Sequence, residues 1–278
     1  MAVIAISWEL GSEGDRIGRV LAEQLGGRLV DGTVLFETAR EYDAPGVRPG
    51  APELTERAPS FWERLNEERR RYAVLLRAVM YRFAAEGNCV LLGFGAGPLL
   101  REVRHVIRVR IMAPRGLRVE RVLAASSRAS AMTHEQAEEA VRRTDRDRAR
   151  YIRYLFNLDI NDPACYDLML NTRSISPLAA VDVLLTLAAR PEFQPTPESG
   201  AVLDDLALGS QVEAVLLHDP NVWVENLRVT ARGGEVMLTG QVLADEDRDV
   251  AEAVARRIPG VRIVRNEVSV QPPPLAGM

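Results

Sequence analysis

The sequence contains no lysine, because all 35 basic residues among its 278 are arginine. A chain without lysine excludes Schiff-base chemistry and the P-loop signature whose lysine contacts phosphates. The absence of lysine also has an explanation unrelated to function, which is a G+C-rich genome that replaces lysine codons with arginine codons. Cysteine is scarce too: Cys89 and Cys165 form no C-x-x-C pair, which excludes a disulfide framework and a cysteine zinc site. The three histidines are scattered without metal-ligand spacing, so we predict no protein metal ligands.

The remaining composition is that of an ordinary globular protein. Hydrophobic residues make up 47% and charged residues 27%, and the length suits one or two domains. The first apolar run has no basic residues before it and ends at Glu9, so we expect neither a signal peptide nor a membrane span. We therefore expect a cytoplasmic location. With a formal net charge of -4, we expect no nucleic-acid partner. The sequence does not indicate the oligomeric state.

A proline-rich segment divides the chain. RPEFQPTPESG, from Arg190, interrupts the apolar periodicity, and we interpret residues 191–202 as a linker. In the predicted domain before it, residues 1–190, short apolar runs alternate with amphipathic stretches, which favours an α/β fold with a parallel sheet flanked by helices. The predicted strands are Ala2–Ser7, Arg28–Val30, Cys89–Leu92, His105–Ile111 and Tyr166–Leu170, and the predicted helices are Asp15–Leu25, Pro59–Glu86, Gly116–Ser126, Thr133–Phe156 and Pro177–Ala189.

A glycine-rich turn joins the first predicted strand to the first helix. VIAISWELGSEGDRIGRVLAEQLG, from Val3, contains Gly11, Ser12, Glu13, Gly14, Asp15 and Arg16 at this turn. Glycine allows backbone N–H groups to converge on an anion, and the following helix adds its positive N-terminal dipole. The turn is therefore a candidate phosphate-binding loop; the alternative is a tight β–α turn without a ligand.

Six pieces of the chain, taken in order, resemble the cytidylate kinase-like family of P-loop nucleoside monophosphate kinases. They are ISWELGSEGDRIGRVLAEQLG at the start, Asp31 after the second strand, TERAPSFWERL from Thr55, CVLLGFGAGPLL from Cys89, IMAPRGLRVERV from Ile111, and TDRDRARYIRY with YDLMLNT. The resemblance covers about residues 1–190 and implies a nucleotide-binding P-loop fold that uses ATP and Mg²⁺.

The resemblance also implies roles for charged residues in the second half of this domain. Arg118 and Arg121 would face the triphosphate from the lid, and Arg148 and Arg153 would reach it from the long helix. Asp145 resembles the acid of the D-x-x-R pair, which orients the arginine or binds the base. The alternative is a solvated helix face laced with ion pairs between Arg and Asp.

The chain departs from the family at several positions. Gly14 aligns with a lysine of standard cytidylate kinases and Arg16 with a hydroxyl that binds Mg²⁺, although the branch resembled here often lacks both. Trp8 and Phe94 stand where that branch has arginines, and Glu13 replaces a loop glycine. These departures keep a catalytically degenerate protein, a pseudokinase, open as an alternative.

The residues after the linker predict an αββαβ unit, residues 203–272. Leu203–Leu217 and Ala244–Ile258 read as helices, while Trp223–Thr230, Glu235–Val242 and Val261–Val270 alternate apolar with polar residues. The stretch from Val224, which begins VENLRVTARGGEVMLTGQV and runs to Val270, resembles the BON domain. This resemblance implies a non-enzymatic module that binds a protein, a lipid or a hydrophobic ligand. An alternative is a module that serves only folding or oligomerisation.

The sequence supports two candidate functions. The first is ATP-dependent phosphorylation of a nucleoside monophosphate, with CMP as the first candidate. The second is a nucleotide-sensing or scaffold protein that acts through its BON domain.

Overall fold

The computed structural model describes residues 2–39, 67–126 and 132–271. These residues form two compact units. The first contains residues 2–34, 86–126 and 132–199, and the second contains residues 35–39, 67–85 and 200–271. The segment TERAPSFWERL and the start of the helix predicted from Pro59 lie outside the described residues.

A five-stranded parallel sheet forms the centre of the first unit. Its strands are β1 (Val3–Trp8), β2 (Arg28–Val30), β3 (Cys89–Leu92), β4 (Val106–Met112) and β5 (Leu168–Asn171). They lie in the order β2-β3-β1-β4-β5, and every neighbouring pair is parallel. This confirms the predicted α/β class. The order also places β1 at the centre, so the residues that follow it lie at the carboxyl edge, where ligands bind in such sheets.

Helices connect these strands. They are α1 (Gly14–Gln24), α2 (Gly32–Ala39), α3 (Glu67–Glu86), α4 (Ala96–Leu99), α5 (Arg115–Ala125), α6 (His134–Phe156) and α7 (Pro177–Ala188). A capping box between Thr133 and Gln136 starts α6. The sequence did not predict α2, which begins where the Asp31 carboxylate accepts hydrogen bonds from the N–H groups of Thr33 and Val34.

One face of the sheet packs on α1 and α7. Ile4 and Ile6 of β1 lie there with Ile107 of β4, Leu21 of α1 and Leu184 of α7, all nearly inaccessible to solvent. Alternate residues of β1 and β4 therefore face the opposite side of the sheet, which carries Ser7 and Arg110 at paired positions. Both cysteines are free and buried, and burial raises the pKa of the Cys89 thiol to about 12.

The second unit carries its own sheet. After α8 (Pro197–His218), the strands β6 (Glu225–Arg232) and β7 (Glu235–Val242) form an antiparallel hairpin, and β8 (Ile263–Val270) joins β7 in parallel after α9 (Asp245–Ala255). This confirms the predicted αββαβ order. No helix among the described residues is long and apolar enough to cross a membrane.

The helix α8 begins earlier than the composition predicts. It starts at Pro197, inside the segment interpreted as a linker, and not at Leu203. The reason is local: the N–H of Thr196 donates to the Ser199 hydroxyl at 3.0 Å, and the N–H of Ser199 donates to the Thr196 hydroxyl at 3.2 Å. This reciprocal cap starts a helix despite the surrounding prolines. The domain boundaries at 190 and 203 stay a prediction.

Within the second unit, α3 packs on α8. Val74 and Ala78 of α3 and Ala214 of α8 form a small buried cluster. Beside it, the Arg77 guanidinium forms an ion pair with the Glu213 carboxylate, which is largely shielded from solvent. The second unit therefore takes a helix from the first third of the chain.

Two histidines, of which His105 is buried and His218 partly buried, make stability depend on pH. Burial lowers the pKa of His105, whose Nδ1 lies 2.8 Å from the Ser199 hydroxyl, and burial also lowers that of His218 against an opposing hydrogen bond to the Ala214 carbonyl. Because the unfolded chain binds these protons first, we expect stability to fall as the pH drops below the ordinary histidine value of 6.5. Urea midpoints at pH 7.5 and 5.5 should show a larger fall for the wild type than for H105Q/H218Q. Equal falls would contradict the prediction.

Candidate functional site

The loop between β1 and α1 turns at Gly11 and Glu13. Gly11 has φ of 78° and Glu13 has φ of 63°, both in the left-handed region. A Cβ at Gly11 would lie 2.5 Å from the Arg118 carbonyl oxygen, so α5 passes directly over the loop at this point. The N–H of Ser12 donates to the Glu9 carbonyl at 2.9 Å and closes the turn. The loop is therefore compact, and its shape depends on Gly11.

The N-terminus of α1 lacks a side-chain cap. Glu13 occupies the N-cap position, and its side chain makes no capping hydrogen bond, so the first N–H groups of the helix have no acceptor from that source. The Ser12 hydroxyl is fully buried and has no hydrogen-bond partner in the described part of the chain. Asp15 is exposed in the first turn of the helix. Uncapped N–H groups beside an unsatisfied hydroxyl suit an anion with several acceptor oxygens.

The Glu13 carboxylate lies between two arginines. Its Oε1 is 3.3 Å from Nη1 of Arg16, and its Oε2 is 3.3 Å from Nη2 of Arg121. Although it occupies the N-cap, the side chain turns to these guanidinium groups and not to the helix. Glu13 therefore already supplies a negative charge to two arginines beside the loop.

Arg121 is hydrogen-bonded both to the loop and to the residue that follows β5. Its Nη1 donates to the Gly11 carbonyl at 3.2 Å and to the Thr172 hydroxyl at 2.9 Å, and its Nη2 donates to the Thr172 carbonyl at 2.9 Å. The Thr172 hydroxyl in turn donates to the Ser12 carbonyl at 3.0 Å. These bonds hold Arg121 beside the loop, with about a quarter of its side chain exposed.

Arg118 is occupied by protein partners. Its guanidinium forms two hydrogen bonds to Asp145, at 2.9 and 2.8 Å, lies 3.3 Å from Glu9, and donates to the Ala113 carbonyl. Burial lowers its pKa, but the hydrogen bonds to Asp145 and the charges of Glu9 and Asp145 outweigh burial, so the pKa stays above its usual value. At 5% exposure, Arg118 fastens α5 to α6 beside the loop.

The two remaining predicted arginines, Arg148 and Arg153, both lie on α6 but contact different parts of the structure. Arg148 reaches the end of β1, where its Cζ lies 4.0 Å from the centre of the Trp8 ring and its Nη1 donates to the Trp8 carbonyl at 2.6 Å. Arg153 is 69% exposed, and its side chain lies 3.9 Å from Asp159 in the turn after α6. The structure therefore brings Arg118, Arg121, Arg148 and Asp145 together around the loop, while the ion pair of Arg153 is made elsewhere.

Three residues of the site are absent from the sequence prediction. The Glu9 carboxylate forms ion pairs with Arg118 and Arg110 and accepts a hydrogen bond from the N–H of Ala113. The Thr172 hydroxyl accepts a hydrogen bond from Arg121. Arg110 is 4% exposed, and its Nε and Nη1 have no hydrogen-bond partner among the residues described. The sequence contained a signal for two of these residues. Glu9 is a charged residue directly after the apolar strand β1, and Arg110 is a charged residue within the apolar strand β4.

The turn after β3 is closed by apolar side chains. Gly93, Phe94 and Gly95 all have positive φ, and Phe94 is buried. A Cβ at Gly95 would lie within 3.1 Å of ring atoms of Phe156 and of Ile152, so the end of α6 packs on this turn. The position at which the resemblance implied an arginine near the acceptor phosphate is therefore part of the core.

The described residues suit phosphate better than a metal held by the protein alone. Across residues 2–39, 67–126 and 132–271, no group of three or more His, Cys, Asp or Glu side chains is arranged to hold a metal ion. The loop instead offers N–H groups, the Ser12 hydroxyl and flanking guanidinium groups, which are donors for phosphate oxygens.

Two parts of the chain match known protein families. Residues 3–174 match the model of the cytidylate kinase-like family, and residues 204–272 match that of the BON domain. A cytidylate kinase of Methanosarcina barkeri is 26% identical over 182 residues, which cover 65% of this chain and 93% of that protein. An uncharacterized protein from Eubacterium ventriosum has the same fold: it is 19% identical, with a TM-score of 0.53, and the match covers 68% of this chain and all of that one.

Proposed function

Because the chain belongs to the cytidylate kinase-like family, we propose that its β1–α1 loop binds the phosphates of ATP and that the protein transfers the terminal phosphoryl group to a nucleoside monophosphate, with CMP as the first candidate. The observation that carries the proposal is the uncapped start of α1 beside the buried, unpartnered hydroxyl of Ser12. A buried hydroxyl without a partner costs free energy, and a phosphate oxygen would satisfy it.

The charged residues take distinct roles in this proposal. Arg121 and Arg148 provide the cationic groups beside the loop, where they would stabilise the charge on the transferred phosphoryl group. Arg118 and Asp145 act as positioning residues, because each is engaged by the other. In the transfer, an acceptor phosphate oxygen forms a bond to the γ-phosphorus as the bond to the bridging oxygen of ADP breaks.

Mg²⁺ would be held by the nucleotide phosphates together with the Ser12 hydroxyl, and when bound it neutralises phosphate charge. The absence of a carboxylate cluster in the described residues is compatible with this role, because Mg²⁺ often keeps several waters and binds through substrate phosphates.

A second candidate is nucleotide binding without transfer. It is favoured by the buried turn at Phe94, because the acceptor side of the site gains no cation from this position. The BON domain, residues 204–272, would then bind a protein, lipid or hydrophobic partner in response to nucleotide binding. Binding of ATP is common to both candidates, and only turnover separates them.

The test is calorimetric titration of the full chain with ATP and Mg²⁺, followed by a chromatographic assay for nucleoside diphosphate with CMP, dCMP, UMP or AMP as acceptor. We expect R121Q to weaken ATP binding by about tenfold, since it removes a charge-assisted hydrogen bond. R142Q is the matched control, because Arg142 is exposed on α6 and pairs with Glu139. Absence of ATP binding would overturn the proposal; binding without diphosphate formation would leave the second candidate.

A further inference from the structure

The guanidinium group of Arg148 lies on the side chain of Trp8. Its Cζ is 4.0 Å from the ring centre, which is within the range of a cation–π interaction. The same group donates to the carbonyl of Trp8 at 2.6 Å. One residue therefore contacts the guanidinium twice, through its ring and through its backbone. The contact fixes the cation at the end of β1, directly before the loop.

Trp8 is itself held in place from the other direction. It packs against the buried core between the sheet and its helices. It also touches the first residue of α1, since a Cβ at Gly14 would lie 2.6 Å from Cγ of Trp8. The indole is therefore supported by the core on one side and by the start of α1 on the other.

Asp145 lies on the same face of α6 as Arg148 but is hydrogen-bonded to Arg118. The two residues are one turn apart, which is the usual spacing for an ion pair within a helix. Both carboxylate oxygens of Asp145 instead receive hydrogen bonds from Arg118. Asp145 is therefore bonded to Arg118, while the Arg148 guanidinium contacts the ring and the carbonyl of Trp8.

We propose that Trp8 is a positioning residue: its ring and carbonyl hold the Arg148 guanidinium at the phosphate loop, so that α6 delivers the cation that position 8 itself lacks. The inference rests on the proposed function, because it assigns Arg148 to the phosphates of the nucleotide bound there. It makes tryptophan at position 8 a functional replacement for a charged residue.

The first experiment measures ATP binding by calorimetry for W8F, W8L, R148Q and W8L/R148Q, with thermal unfolding to confirm that each variant is folded. We expect W8L and R148Q each to weaken binding by about tenfold, and the double variant to be no weaker than the singles, because both act through one guanidinium. W8F keeps an aromatic face, so we expect its affinity within about threefold of the wild type. W223L is the control, since Trp223 is exposed in the second unit.

A multiplicative loss in the double variant, or a loss in W8F equal to that in W8L, would show a merely structural role for Trp8 and overturn the inference. Wild-type protein that binds no ATP would overturn the proposed function as well, so the two failures are distinguishable. A second readout uses W62F/W223F, in which Trp8 is the remaining tryptophan. We expect R148Q to shift its emission without any nucleotide present, and an unchanged spectrum would contradict the stacked arrangement.

Discussion

Replacing Glu13 with glutamine is expected to strengthen binding of ATP by on the order of 10- to 100-fold. The carboxylate pairs with Arg16 and Arg121, so incoming phosphates must displace it and then lie beside its negative charge. The glutamine side chain has nearly the same shape but no charge, and therefore removes the repulsion and the two ion pairs with Arg16 and Arg121. Calorimetric titration with ATP and with inorganic pyrophosphate measures the effect.

Glycine at the same position separates charge from backbone conformation. Glu13 has φ of 63°, a conformation that glycine adopts without strain, so E13G is expected to gain about 1 kcal/mol of stability in addition to the gain in affinity. D15N is the matched control, because Asp15 is exposed in the same turn, and its effect should stay below about threefold. If E13Q instead weakens binding of ATP with Mg²⁺ and not of ATP alone, Glu13 is a metal ligand and this account of it is wrong.

Adding the missing loop lysine at Gly14 is expected to destabilise the protein and not to restore a kinase loop. The nearest atom to a Cβ at this position is the Cβ of Trp8, and the next is its Cγ at 2.6 Å. Because Gly14 is buried at the start of α1, a side chain there could be accommodated only by displacing Trp8 or the helix. We expect G14K and G14A to lower the free energy of unfolding by about 3 kcal/mol and to weaken ATP binding.

The matched control for this prediction is G116A. Gly116 lies in α5, and a Cβ there would meet no atom within 4 Å, so alanine should raise the free energy of unfolding by about 0.5–1 kcal/mol. Urea denaturation of the three variants tests both expectations. Since the clash begins at the Cβ of residue 8, W8A/G14A should be no more stable than G14A. A stable G14K protein with improved ATP binding would show that the close approach of Trp8 and Gly14 is not required.

Sequence patterns predicted the sheet well because its strands are short apolar runs bounded by turns. The predicted bounds of β2 and β3 agree with the structure, and β1 differs by one residue at each end. The start of α8 was missed for a local reason: proline content suggested a linker, whereas Thr196 and Ser199 cap a helix there. Composition is an average over a whole segment, whereas this helix cap depends on two particular side chains. Composition therefore could not predict where α8 begins.

The site was only partly predictable. Spacing placed Arg118 and Arg121 one turn apart, but it could not tell that Arg118 would be bound by Asp145 and Glu9 while Arg121 stays beside the loop. Those partners come from other elements, and their positions depend on strand order and register. Glu9 and Thr172 reach these arginines because β1 and β5 end at the same edge of the sheet.

The pairing of α3 with α8 has a consequence for synthesis of the chain. Arg77 and Glu213 are 136 residues apart, and the cluster of Val74, Ala78 and Ala214 joins the same two helices. During translation Val74 and Ala78 therefore have no contact with Ala214 until most of the remaining polypeptide has been made, and contacts of such long range form slowly. A fragment that begins at the BON domain would lack Arg77 and would remove this ion pair from the Glu213 carboxylate. The second unit is consequently built from separated stretches of the sequence, although the motifs of the chain are arranged in succession.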